Sequence, residues 1–424
     1  MRKNRVLRAA FGLDHAVIEG LDFDEEAEAL IVSVRPTAKA KNRCGRCQRR
    51  SPRYDRGEGR RRWRALDLGT TKVFIEADAP RVACRTHGPT VWAVPWARHD
   101  AGHTRDFDDH AAWLAVHVSK SAVVELLRVA WRTVGSIVKR VGADIDLQVD
   151  RLAGLRRIGI DEVSYKRGHR YLTIVVDHDS GRLVWAAPGK DAATLERFFT
   201  ELGANRAAQL TYVTSDSAEW ITGVVARCAP SAIRCADAFH VVAWATDALD
   251  VERRRSWNEA SGRRHIDPVT GRPRFATGRA RSIKRARYAL WKKPENLTTR
   301  QLRQLEWIEK TNPRLWRAYL LKEGLRYAVT TKGEEGKEAL DAWIAWARRS
   351  RLPAFIDLVR KVVANRAAIE AAMDSGLSNA LIESTNTKIR LLTRIAFGFH
   401  GPDPLIALAM LALGGYCPDL PGRK

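Results

Sequence analysis

Residues 156–163 read Arg-Arg-Ile-Gly-Ile-Asp-Glu-Val, followed by Tyr-Leu-Thr-Ile-Val-Val-Asp at 171–177 and Arg-Leu-Val-Trp-Ala-Ala-Pro at 182–188. Each run is rich in β-branched and aromatic residues, and the last two are separated by a His178–Gly181 turn, so the three predict a meander of strands. A helical pattern at Thr194–Leu202 then leads to Leu-Thr-Tyr-Val-Thr-Ser-Asp at 210–216. A second, at Ala218–Arg227, leads to Ala-Ile-Arg-Cys-Ala-Asp at 232–237, and a further helix begins at Phe239. Three meandering strands followed by alternating helix and strand predict an α/β fold, a mixed sheet covered by helices.

Outward from that block the chain changes character. Residues 16–35 read as a hairpin with an acidic turn at Asp24–Glu26. Three short helices fit 104–141, and 150–157 is a polar connection. Residues 244–370 look almost wholly helical apart from a Gly/Pro/Arg-rich loop at 261–280, and a helix is expected over Leu377–Ile395. With 424 residues the chain should form two to four domains, and 45% hydrophobic with 29% charged residues excludes wholesale disorder. Apolar runs such as Leu405–Leu413 fall short of the roughly 18 residues a spanning helix needs, so no membrane partner is expected. The basic N-terminus soon turns acidic, which argues against a signal peptide. Six cysteines do not make a disulfide scaffold, and a reducing compartment is expected.

The net charge of +24 is concentrated. Residues 41–64 hold eleven Lys/Arg against two acids, and 251–293 hold fourteen against three. Arginine-rich clusters interleaved with Trp63, Tyr288 and Trp291 point to a nucleic-acid partner, because each neutralised phosphate releases condensed counterions. In the second window Arg281, Lys284, Arg285 and Arg287 are read as holding DNA by its phosphates.

Cys44-Gly-Arg-Cys47 and Cys84-Arg-Thr-His87 are two ligand pairs, each separated by two residues. One CxxC alone could be a redox pair; two such pairs with a Cys3His total predict one structural Zn²⁺ held tetrahedrally. Cys228, Cys235 and Cys417 are expected in the core. Between 104 and 141 the helices drawn are Arg105–His117, Ser121–Leu127 and Trp131–Val141, a helix-turn-helix pattern. The last presents Arg132, Thr133, Ser136, Lys139 and Arg140 opposite its apolar stripe, so short polar groups would meet base edges and cations would meet phosphates.

Three carboxylates stand out by placement. Asp161 is expected at the end of the Ile158–Ile160 strand, Asp216 ends 210–215 just before a helix, and Glu383 lies on the Leu377–Ile395 helix. Carboxylates at strand ends of an α/β sheet point into the crevice where such sheets bind ligands, and three converging there can hold two Mg²⁺ ions. Asp237 is a fourth candidate. Asn379, Glu383, Asn386 and Arg390 follow at offsets of four, three and four, so one helix face offers an acid, two amides and an arginine.

Taken together, Gly159-Ile-Asp161-Glu, Lys166-x-x-His169-x-Tyr171, Ser215-Asp216, Asp237-x-Phe239-His240 and Ser378-Asn-x-x-x-Glu383-x-x-Asn386 resemble the ISL-three family of bacterial insertion-sequence transposases. The resemblance runs through nearly the whole chain. It implies an N-terminal zinc-finger domain at 1–100, a helix-turn-helix domain at 101–149, and a ribonuclease-H-like DDE catalytic core at 150–243 and 371–416. A basic helical insertion would occupy 244–370. It makes Asp161, Asp216 and Glu383 the catalytic triad and two Mg²⁺ (or Mn²⁺) ions the cofactor, with Asn386 and Arg390 beside them on DNA. The implied activity is metal-dependent strand cleavage and strand transfer at the terminal inverted repeats of a mobile element. The expected partners are double-stranded DNA and further copies of the chain, as a homodimer or larger oligomer, in the bacterial cytoplasm at the nucleoid. A ribonuclease-H-fold DNA nuclease and a catalytically idle DNA-binding regulator are the alternatives.

Overall fold

The computed structural model describes residues 2–215, 218–261 and 278–423. They form two compact units, one of residues 1–151 with 388–424 and one of 152–387.

The first unit opens with helix α1 (Arg2–Ala10), then the hairpin β1 (Ala16–Asp24) and β2 (Ala29–Pro36). Next come β3 (Arg53–Asp55), β4 (Arg60–Leu68), β5 (Thr71–Asp78), β6 (Arg81–Cys84) and β7 (Gly88–Val91). The order β1-β2-β5-β4 makes a four-stranded sheet, and β3-β6-β7 a small second one. Trp63, Val73, Ile75, Val32 and Trp96 form the core under the larger sheet. The arginines of β4 alternate with that core: Arg60 and Arg62 pair with Glu76 across the sheet. Arg60, Arg62 and Arg64 of the 41–64 charge cluster are thus paired with carboxylates.

Helices α2 (Arg105–His117), α3 (Lys120–Leu127) and α4 (Trp131–Asp146) follow. Thr104 and Ser119 cap α2 and α3 by accepting backbone N–H bonds, which fixes where each begins. Phe107, Val123, Val134, Ile137, Val138 and Val141 interlock the three and bury Leu408 and Leu411 of the C-terminal segment.

The second unit holds β8 (Arg157–Lys166), β9 (Arg170–Asp177), β10 (Leu183–Pro188), α5 (Ala192–Leu202), α6 (Ala204–Ala207), β11 (Tyr212–Ser215), α7 (Glu219–Cys228) and β12 (Ile233–Ala236). Its sheet runs β10-β9-β8-β11-β12. The first three strands are antiparallel, while β11 is parallel to both β8 and β12. This is the mixed sheet that the strand pattern calls for, in the ribonuclease-H-like form that the resemblance implies. Strand β8 runs on to Lys166, so Asp161 sits within the strand rather than at its end; the end of pairing with β11, at Ile160–Ser215, falls one residue before it. The antiparallel hairpin with β9 is what carries β8 onward.

The helical insertion runs through α8 (Ala238–Ser261), α9 (Gly278–Arg285), α10 (Arg287–Trp291), α11 (Thr299–Thr311), α12 (Pro313–Thr330), α13 (Gly333–Arg348), α14 (Pro353–Ala364) and α15 (Arg366–Ser375). These helices share one core around Leu249, Ile283, Leu321, Trp343 and Phe355. Most of the loop expected at 261–280 lies outside the described residues. Two further helices, α16 (Ala380–Ile395) and α17 (Pro402–Leu413), close the chain. The helix expected from Leu377 begins three residues later, and Asn379 precedes it with its carbonyl accepting the Glu383 N–H at 2.8 Å. No helix among the described residues is long and apolar enough to cross a membrane.

Gly159 is where α16 meets β8. A Cβ built there would lie 2.3 Å from Cδ1 of buried Ile382 and 3.0 Å from His178 Nε2, so only glycine lets the helix approach this closely. Gly159→Val should therefore lower stability by about 1–3 kcal/mol through overpacking, read as a fall in Tm. Combining it with Ile382→Ala should recover part of the loss. An unchanged Tm for the single variant would contradict this packing.

Candidate functional site

The carboxylate of Asp161 is held from two sides. Its Oδ1 accepts the Glu162 N–H at 2.7 Å, and its Oδ2 accepts Nδ2 of Asn386 at 2.7 Å. Asn386 comes from α16 and is only 4% exposed, while Glu383, one turn earlier, is exposed. Glu383 lies in the first turn of α16, where the helix's free N–H groups favour an anion. The Oδ1 atoms of Asn386 and of Asn379, which is 2% exposed, are buried and have no hydrogen-bond partner among the described residues. Leaving such an oxygen unpaired is costly, so each is a position that a water or a cation can satisfy. Carboxylate and amide oxygens such as these are hard donors, the kind that divalent cations favour.

The face shared by Asn379, Glu383, Asn386 and Arg390 in the sequence is divided in the structure: the two amides are buried, and the acid and the arginine are exposed. Asp216 lies outside the described residues; β11 ends at Ser215, immediately before it. Asp237 follows β12 and is buried, accepting the Phe239 N–H at 3.2 Å and lying 2.8 Å from Nδ1 of His240. Those bonds give it a capping role at the start of α8. His178 Nε2 lies 2.8 Å from Thr214 Oγ1 beneath Gly159, and burial lowers its pKa, so it stays neutral there.

The four residues predicted to hold zinc converge. Their donor atoms lie within 4.8 Å of one another, with Cys47 and Cys84 Sγ 3.7 Å apart and His87 Nδ1 3.6 Å from both Cys44 and Cys84 Sγ. A tetrahedral zinc with bonds of about 2.0–2.3 Å demands edges of roughly this length. The backbone amides of Thr86 and His87 lower the Cys84 thiol to about 6, favouring the thiolate, while burial raises Cys44. Gly45 is squeezed against the Val91 carbonyl and His99, where a Cβ would come within 2.6 Å of both. Of the three cysteines expected in the core, Cys235 is buried in β12, whereas Cys228 at the end of α7 and Cys417 in the segment after α17 are only half-buried.

On α4, Arg132, Ser136 and Lys139 are exposed and Thr133 is half-buried. Arg140 forks onto fully buried Asp108 with two bonds of 2.8 Å, so its charge also holds α4 to α2. Arg98 joins the same acid at 3.7 Å and also binds Asp109 and Asp144. Sequence reasoning missed this network; the one available signal was an acid, Asp108, set among the apolar positions Phe107, Ala111 and Ala112. Arg281, Lys284, Arg285 and Arg287 on α9 and α10 are all exposed, and Ile283, Ala286 and Ala289 between them are buried.

Comparison with known proteins agrees with this layout. A family model described as a zinc-finger of IS204/IS1001/IS1096/IS1165 transposases matches residues 40–87, and one described as the helix-turn-helix domain of transposase family ISL3 matches 93–142. The ISL3 model described as "Transposase", of the DDE class, matches 158–409. The chain belongs to the ISL3 family of transposases. It is 62% identical over its full length to the transposase for insertion sequence element IS1557 of Mycobacterium tuberculosis, covering 98% of that protein. It is 24% identical over 94% of its length to the transposase for insertion sequence element IS1001 of Bordetella parapertussis, covering 96% of it.

As an ISL3 transposase this is a DDE-class enzyme that cuts and joins DNA strands, and its helix-turn-helix binds DNA. Its zinc-ribbon segment coincides with the Cys3His cluster. The purified transposase should carry about one zinc per chain by elemental analysis, lost in Cys47→Ser or Cys84→Ser together with the tertiary signal of the small sheet. A natively folded, zinc-free protein would contradict the site.

Proposed function

We propose that Asp161, Asp216 and Glu383 form the catalytic triad and hold two Mg²⁺ ions. The observation that carries this reading is the 2.7 Å bond from Asn386 to Asp161, which ties the Glu383 helix to β8 through the very carboxylate the triad needs. When bound, the metal supplies Lewis-acid activation of the attacking oxygen and stabilises the leaving one. Asp161 offers a carboxylate already oriented by two donors, Asp216 the acid directly after β11, and Glu383 an exposed carboxylate on a helix N-terminal turn. Water attacks first to free a 3′-hydroxyl, which then attacks target DNA.

The DNA cut is, on this reading, the terminal inverted repeat of the element that encodes the chain. Arg132, Thr133, Ser136 and Lys139 read or hold it, with Arg140 dividing its charge between DNA and Asp108. Arg281, Lys284, Arg285 and Arg287 grip phosphates alone, and Asn386 and Arg390 lie beside the reacting strand. On this reading the domains divide at 1–100, 101–149, 150–243 with 371–416, and 244–370; the order of the zinc-finger match at 40–87, the helix-turn-helix match at 93–142 and the transposase match at 158–409 supports the sequence of the parts. Joining two element ends requires at least two copies of the chain, and the bacterial nucleoid is where they would meet.

Asp161→Asn, Asp216→Asn and Glu383→Gln should each reduce strand cleavage in Mg²⁺ by a factor of about 10³ while leaving gel shifts of end DNA nearly intact. Full activity in any one variant removes that residue from the triad. Cleavage of branched or random DNA without joining would favour the nuclease reading, and binding without cleavage by the unaltered chain the idle regulator.

The two basic surfaces should separate by mutation. Replacing Arg281, Lys284, Arg285 and Arg287 with alanine should weaken specific and random DNA alike. It should also flatten the slope of log affinity against log salt by about 0.9 for each phosphate that is no longer neutralised. Changing Arg132, Thr133 and Ser136 should instead erase preference for element ends. A weakening confined to end DNA in the first set would make α9 and α10 base readers.

A further inference from the structure

The turn that ends α16 contains a residue that contradicts local backbone preference. The Phe397 N–H donates to the Arg394 carbonyl at 3.0 Å and the Gly398 N–H to the Thr393 carbonyl at 2.9 Å. Those two bonds define a Schellman cap, in which the residue at the position of Phe397 is left-handed and is most often glycine. Phe397 has φ +50, a conformation that bulky L side chains rarely adopt. Gly398, which could take such a backbone without strain, stands one residue later.

Burial of the ring does not offset this. The Phe397 side chain is 81% exposed, more than any other aromatic among the described residues. The turn is nevertheless not a frayed end. Ala396 is buried, and Leu392 and Phe399, on either side, pack against the helix-turn-helix core of Phe107, Val134, Ile137 and Val138. The left-handed residue is what sends one ring outward while its neighbours point in. Strain kept at an anchored, exposed position points to function rather than to folding.

The surroundings indicate what meets the ring. From Lys388 to Pro402 there are three cations, Lys388, Arg390 and Arg394, and no acid, and all three cations are exposed. Leu391 and Ile395 add exposed apolar surface beside the turn. A second copy docking on this patch about a two-fold axis would set these cations against themselves with no carboxylate to pair them. DNA has what the patch lacks: phosphates for the cations and a base stack for an apolar ring.

We propose that Phe397 is a wedge that inserts into the base stack of bound DNA and unstacks or bends it, with Leu391 and Ile395 against the sugars and Arg390 and Arg394 on the flanking phosphates. Rigid apolar wedges flanked by cations are how proteins kink a duplex. The proposal rests on the reading of the chain as a transposase that binds element ends, and it adds a distortion step to that binding.

The test uses the full chain and duplexes of the element's terminal sequence carrying 2-aminopurine at successive positions. The unaltered protein should raise fluorescence severalfold at one or two adjacent positions. Phe397→Gly should abolish the rise, keep gel-shift affinity within about threefold, and melt no lower than the parent because glycine suits the cap. Phe397→Trp should retain the rise. A shifted duplex with no rise at any position, or an equal rise with Phe397→Gly, overturns the wedge while leaving end binding intact. A change from dimer to monomer in Phe397→Gly with unchanged fluorescence also overturns it and assigns the patch to contacts between copies. No shift of the duplex by the unaltered protein would overturn end binding itself, and the wedge with it.

Discussion

The hydrogen bond from Asn386 to Asp161 is the constraint on which the catalytic unit depends. It joins residues 225 positions apart in sequence across 2.7 Å, with the whole helical insertion lying between them. A bond of this kind, amide to carboxylate in a low-dielectric setting, contributes about 1.5–3 kcal/mol, and its loss would remove the donor that ties Asp161 to α16. Beneath it, Ile382 fills the space left by Gly159, so apolar packing and a charge-assisted bond hold α16 at the same point on β8. The insertion helices build a core of their own, which also reaches Ala236 of β12.

Charge serves two purposes in this molecule, and position separates them. Arg60, Arg62 and Arg98 are consumed by cross-strand and interhelical carboxylates, and Arg140 shares its charge with Asp108. Arg132, Lys139, Arg281, Lys284, Arg285, Arg287 and Arg390 are exposed on helices, where a phosphate backbone can reach them. Buried Asp108 illustrates the first purpose: removing either partner would strand a charge in the interior, which costs several kcal/mol. The Cys3His cluster sits at the small sheet, whose buried apolar core is only Val82, Cys44 and Cys84, with Cys47 and Trp92 packed on it.

The strands of the catalytic sheet, the three helices of the DNA-binding segment and the zinc ligands were legible in the sequence because each has a short-range signature: period-two apolar runs, capped apolar stripes, paired Cys/His. Other features were not. Strands β4 and β5 were hidden because the outward side of β4 is a row of arginines, and only the pairing with Glu76 on β5 reveals why they are there. Asp161 read as a strand end because its apolar run stops, whereas the hairpin with β9 carries the strand on. The amides of Asn379 and Asn386 read as one face with Glu383 and Arg390 because helical spacing cannot tell which side a neighbouring sheet will cover. Arg140 read as a phosphate ligand for the same reason: its partner Asp108 lies 32 residues away.

Whether Asp161 and Glu383 serve one metal-binding centre decides the reading of the catalytic site. Anomalous diffraction from crystals of the full chain grown with Mn²⁺ and element-end DNA tests it most directly. The account predicts metal density at about 2.0–2.4 Å from carboxylate oxygens of both Asp161 and Glu383, with the Asn386–Asp161 bond retained. Density bound by Glu162 or Asp237 instead, or by Asp161 with Glu383 turned to solvent, would contradict it.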